Sequence, residues 1–181
     1  MRPPATTGQD PAPRRWGARW AEAQPWLALL VRLGLAAVAL AAALPKFANL
    51  RGSRKSVAAY QLFPPELDRL IAVGLPVLEL VVAVLLVTGL MTRYAAALFG
   101  AMLVAFIAGI ASAWARGLKI ACGCFDEGGE LAAGQQAQYG LEILRDVGLV
   151  ALAVFLVIWP RSPFSLDRLF SLEPVPRGKK V

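Results

Sequence analysis

Cys122 and Cys124, separated only by Gly123, are the sharpest chemical feature of this sequence. A thiolate is a nucleophile and a soft metal ligand, and two thiols this close can interconvert with a disulfide. The intervening glycine permits the tight backbone that so small a ring needs. Ring strain would make that disulfide easier to reduce than a structural staple. Arg116 and Lys119 favour a thiolate nearby, whereas Asp126, Glu127 and Glu130 oppose it. Three readings stay open on the residues alone: redox exchange, capture of a metal ion with Asp126 or a partner, and two inert small residues in a loop. The chain has no histidine. That excludes a Ser-His-Asp triad, a His-ligated haem and a Cys₂His₂ zinc site. Two cysteines are also too few for a disulfide scaffold or a Cys₄ cluster, so no metal site is assigned.

Ionisable residues inside apolar stretches are the second source of chemistry, because charge in lipid is expensive and marks pairing or function. Arg32 lies about 9 Å from one face and Glu79 about 12 Å from the same face, taking ~1.5 Å per residue and a ~30 Å core. An Arg32–Glu79 ion pair is therefore expected. It would fix helix register or serve a proton or quinone role. Pro76, one turn before Glu79, frees a backbone carbonyl and bends that helix. Glu142, Arg145 and Asp146 open the last apolar stretch. Arg145 would sit beneath the thiol loop and lower the thiol pKa. Asp146 needs a partner, and Lys46 is the candidate.

These residues must be positioned by elements that live in lipid. Of 181 residues, 57% are hydrophobic, and the net charge is +7 with basic residues bracketing the apolar runs. That placement fits membrane flanks, not a nucleic-acid stripe. Four apolar segments run from about Pro25 to Leu44, Leu67 to Leu90, Tyr94 to Ala115 and Leu141 to Trp159. Each has roughly the 20 residues that cross a bilayer as a helix. They are apolar nearly all round and dense in Gly and Ala, as close helix packing in lipid requires. The expected fold is all-α, an integral membrane four-helix bundle. The expected organisation is a disordered tail over 1–24, a membrane domain over 25–160 and a second tail over 161–181. Ser53 to Leu62 predicts a short amphipathic helix at the membrane surface, or a lid over the bundle, ended by Pro64-Pro65. The first apolar segment has a basic lead and an Ala-rich end, but Arg32 interrupts it and speaks against a cleaved signal peptide. With both termini inside, ten Lys and Arg lie on the inner side and seven on the outer, in a count that leaves out the intramembrane Arg32 and Arg145. The bias orients both termini to the cytoplasm and the Cys loop to the disulfide-permissive face of a plasma membrane.

The stretches LPKFANLRGSRKSVAAYQLFP, LPVLELVVAVLLVTGL, ARGLKIACGCF and LRD, in this order over about residues 30 to 155, resemble the MauE family of methylamine-utilisation membrane proteins in the wider DoxX-like group. The resemblance takes in Pro76, Glu79, Cys122 and Cys124. It departs after Phe125, where the family often has Gly and this chain has Asp126-Glu127. It implies a four-helix membrane protein tied to thiol redox, an exported thioredoxin-like partner and maturation of a disulfide-rich methylamine dehydrogenase subunit. Homologues outside methylamine metabolism are widespread, so the pathway need not carry over. Three functional expectations follow. In the first, Cys122 and Cys124 exchange electrons between a membrane donor or quinone and the exported partner. In the second, the protein is a non-enzymatic assembly subunit or chaperone with a structural Cys pair. In the third, it is a small-molecule carrier using Arg32 and Glu79.

Overall fold

The computed structural model describes residues 15–121, 129–130, 138–160 and 165–166. Cys122, Cys124 and most of both tails lie outside the described residues. The described elements are α1 (Arg15–Ala48), α2 (Leu50–Ala59), α3 (Pro65–Thr88), α4 (Thr92–Ala115), β1 (Ile120–Ala121), β2 (Gly129–Glu130) and α5 (Tyr139–Ile158).

Local chemistry sets the helix ends. Pro65 occupies the first turn of α3, where its missing N–H costs nothing, and Glu66 and Asp68 complement the helix dipole there. The pair Pro64-Pro65 therefore starts α3, while α2 has already ended at Ala59. Gly89 closes α3 in the left-handed region, at φ 67°, and its N–H donates to the Leu85 carbonyl. Met91 precedes α4 with φ 51°. A connection this short forces α3 and α4 into an antiparallel hairpin, as the sequence predicts.

α1 packs on α3, α3 on α4, α4 on α5, and α5 returns to α1. Small side chains line this closed ring: Ala36, Ala39, Ala83, Ala95, Ala96 and Ala153 are buried among Leu35, Val82, Leu86 and Leu156. Large apolar side chains point the other way, with Leu30, Leu70 and Leu144 each about two-thirds exposed. A water-soluble bundle would bury these and expose polar groups, so the outer face is built for lipid. α1 from Ala23 to Ala48, α3 and α4 are each long and apolar enough to cross a membrane. α5 has the length, but Glu142, Arg145 and Asp146 crowd its first half.

One expectation is corrected. Helix begins at Arg15, well before Pro25, because the Trp-Ala-Glu-Ala-Gln stretch before that proline is a good helix former. α2 is amphipathic, as expected, with Leu50, Arg51, Arg54, Lys55 and Ala58 exposed. Gly52, Ser53 and Ser56 are buried, and Ser53 Oγ donates to the Ala72 carbonyl of α3 at 3.1 Å. Asn49 makes this possible by capping α2, its Oδ1 accepting from the Gly52 N–H at 2.9 Å. A Cβ at position 52 would come within 2.8 Å of the Asn49 side-chain amide and would push this cap aside. α2 thus continues α1 after a bend and packs its small polar face on α3.

Candidate functional site

The bend between α1 and α2 places Lys46 inside the bundle. Its Nζ donates to Glu79 Oε1 at 2.5 Å, forming an ion pair between α1 and α3. Lys46 is 7% exposed and Glu79 2%. The ammonium also lies 5.5 Å from the centroid of the Phe106 ring on α4, within cation–π range. Pro45 precedes Lys46 and Pro76 precedes Glu79 by one turn, so each charge follows a helix proline. Glu79 Oε2 is buried and has no hydrogen-bond partner among the described residues.

The expected Arg32–Glu79 pair is absent. Arg32 is buried at the C-terminal end of α3, its guanidinium beside Gly89, where a Cβ would collide with Nη1. Depth along two straight helices cannot separate these outcomes. Fourteen residues, ~21 Å of helix, separate Arg32 from Lys46 on α1, and the relative shift of α1 and α3 decides which cation meets Glu79. Arg32 instead supports the C-terminal end of α3, where carbonyls and the helix dipole favour a cation. Ser165, beyond α5, donates from Oγ to the Gly89 carbonyl at 2.7 Å and completes this corner.

Lys46 stands at the wall of a cavity of about 550 Å³ between α2, α3 and α4. Ser53 and Ser56 of α2, Tyr60 at its C-terminal cap, Ile71 and Leu75 of α3, and Met102, Phe106 and Gly109 of α4 line it. The space lies in the size range of ligand sites. Its lining is apolar apart from Lys46, the serine hydroxyls and Tyr60. Sequence reasoning missed both the pair and the cavity. Lys46, a cation directly after Leu44-Pro45, is legible as a pairing residue, but depth along the helix assigns it to Asp146 and not to Glu79.

The hairpin end is anchored separately. β1 and β2 pair antiparallel, Ala121 opposite Gly129, and so bracket the segment that contains Cys122 and Cys124. β2 rests against α2. Tyr139, buried at the start of α5, accepts from the Ile120 N–H at 2.9 Å and donates to the Leu118 carbonyl. Arg116 donates to the carbonyls of Tyr60 and Gln61 and ties the end of α2 to the end of α4. Asp146 is 1% exposed and pairs with its neighbour Arg145, with Nε at 3.0 Å and Nη2 at 2.9 Å from Oδ1. The expected Asp146–Lys46 contact is therefore replaced on both sides, since Glu79 takes the lysine. Among the described residues no cluster of three or more His, Cys, Asp or Glu could hold a metal ion.

The family model described as methylamine utilisation protein MauE matches residues 24–159. A protein named methylamine utilization protein MauE, from Paracoccus denitrificans, is 35% identical over 132 residues, covering 72% of this chain and 68% of that protein. No solved structure matches the chain.

Proposed function

The chain belongs to the MauE family, and on that premise we propose that it is a multi-pass membrane thiol–disulfide exchanger that supports maturation of exported proteins in methylamine utilisation. In this reading α5 is a fourth membrane span, making a four-helix DoxX-like bundle. The termini face the cytoplasm of a plasma membrane, and Cys122 and Cys124 face outward. A thioredoxin-like exported protein is the partner.

The observation that carries the reading is the strand pair on either side of the Cys segment, which rests against the helix forming one wall of the Lys46 cavity. The loop with the chain's only thiols is thereby attached to the buried charge pair through one short helix. In exchange, the Cys122 thiolate attacks a disulfide of the partner, forming a mixed disulfide and expelling one partner thiolate. The Cys124 thiolate then attacks Cys122 Sγ and releases the second. The reverse sequence oxidises the partner. Arg145, at the head of α5, would assist the thiols only if Asp146 does not hold its charge. Arg145→Ala should then shift thiol alkylation to higher pH, and an unchanged alkylation profile removes it from the mechanism.

Trapping tests the proposal. With Cys124→Ser, a mixed disulfide through Cys122 should accumulate and run as a larger band on a non-reducing gel. No adduct, together with normal complementation of a strain lacking its own MauE by the Cys122→Ser/Cys124→Ser variant, overturns it in favour of an assembly subunit.

A further inference from the structure

The Lys46 cavity is not explained by a purely structural ion pair. Lys46 carries three N–H donors, and among the described residues one hydrogen bond from it is formed, to Glu79. Glu79 Oε2 is buried without a partner among the described residues. A buried ion pair repays its desolvation only when the remaining donors and acceptors are also satisfied. Here they border an apolar space of about 550 Å³.

The ligand that fits is neutral, apolar and carries a hydrogen-bond acceptor. An anionic lipid headgroup is disfavoured, because Glu79 already neutralises Lys46 and no second cation among the described residues lines the cavity. A fully apolar acyl chain would leave the ammonium donors unmet. Ala105 and Ala108 both line the cavity and are exposed, so the space is open and reachable from outside the bundle. α3 and α4, which form two of its walls, are helices apolar enough to cross a membrane, which suits the open side to a ligand dissolved in lipid.

We propose that the cavity between α2, α3 and α4 is a quinone site, in which a ring carbonyl accepts a hydrogen bond from Lys46 Nζ and the isoprenoid tail leaves past Ala105 and Ala108. Phe106 flanks both the ring and the ammonium. This deepens the thiol-exchange reading and rests on it for its redox step. When Cys122 and Cys124 pass from two thiols to one disulfide, they release two electrons and two protons. A quinone takes up both electrons and both protons and leaves as quinol.

The test uses the full chain in phosphatidylcholine nanodiscs with an azido-ubiquinone photolabel, peptide mapping by mass spectrometry, and decylubiquinone as competitor. Label should fall on α2 and α4 peptides that line the cavity and be displaced saturably by decylubiquinone. Ala105→Trp, which fills the cavity from its open side, should reduce labelling at least tenfold without unfolding the protein. Lys46→Met should weaken it, and Lys46→Arg should restore it. Label spread over the outer helix faces and unchanged by Ala105→Trp overturns the site. So does displacement by phosphatidylglycerol and not by decylubiquinone, which would make it a lipid site. Labelling of Cys122→Ser/Cys124→Ser at the wild-type level supports the site independently of the thiols. If the wild type labels normally but its reduced form yields no quinol from decylubiquinone, the site stands and the thiol reading falls.

Discussion

Removing one member of the Lys46–Glu79 pair should be far worse than removing both. Both groups are more than nine-tenths buried, and they meet at 2.5 Å. Two unit charges about 4 Å apart attract by ~4 kcal/mol at an effective dielectric near 20. Breaking a buried pair from one side typically costs about 3–5 kcal/mol, because the remaining charge is left uncompensated. Lys46→Met strands a carboxylate whose second oxygen already lacks a partner. Glu79→Leu strands an ammonium whose other near neighbour is the Phe106 ring. The double variant Lys46→Met/Glu79→Leu removes both charges and should be within about 1–2 kcal/mol of wild type, since apolar replacements of buried pairs are often near neutral. The two single losses should therefore exceed the double loss by several kcal/mol. The assay is reversible unfolding in mixed micelles, titrated with SDS and followed by far-UV circular dichroism, as a double-mutant cycle. Additivity of the two substitutions within about 0.5 kcal/mol would show that the groups do not interact and would refute the pairing. The reversed pair Lys46→Glu/Glu79→Lys should recover part of what either single reversal loses.

Gly89→Ala should destabilise by about 1–2 kcal/mol from the left-handed backbone alone, and by more because its Cβ meets Arg32; an unchanged unfolding midpoint would remove that corner from the account. Tyr139→Phe leaves the Ile120 N–H and the Leu118 carbonyl without their shared hydroxyl, at a cost of about 1–3 kcal/mol, and should accelerate hydrogen exchange at Ile120. Asn49→Ala removes the α2 cap and should cost about 0.5–2 kcal/mol, with faster amide exchange confined to the first turn of α2; uniform exchange across the bundle would contradict a local role.

Hydropathy and turn chemistry alone located the long helices. α3, α4 and α5 begin and end within a few residues of the apolar runs, because a helix in lipid must satisfy its own backbone and needs about 20 apolar residues to do so. The family was equally legible, carried by the Pro76–Glu79 and Cys122–Cys124 spacings together with the loop between the first two apolar runs. The same local signals also marked Arg32, Lys46, Glu79 and Asp146 as buried charges, since each sits in or against an apolar run. Their partners were not legible. A one-dimensional depth ranks residues along a helix axis, but it does not say how far one helix slides along its neighbour or how α2 folds back into the bundle. The shift of α1 along α3 set Lys46 against Glu79 and left Arg32 at Gly89, while Asp146 paired with its own neighbour Arg145. The bend at Asn49 opened the cavity between α2, α3 and α4, a space no single segment encodes. Burial was written in composition, which acts residue by residue; pairing and cavity shape came from lateral packing, which depends on three helices at once.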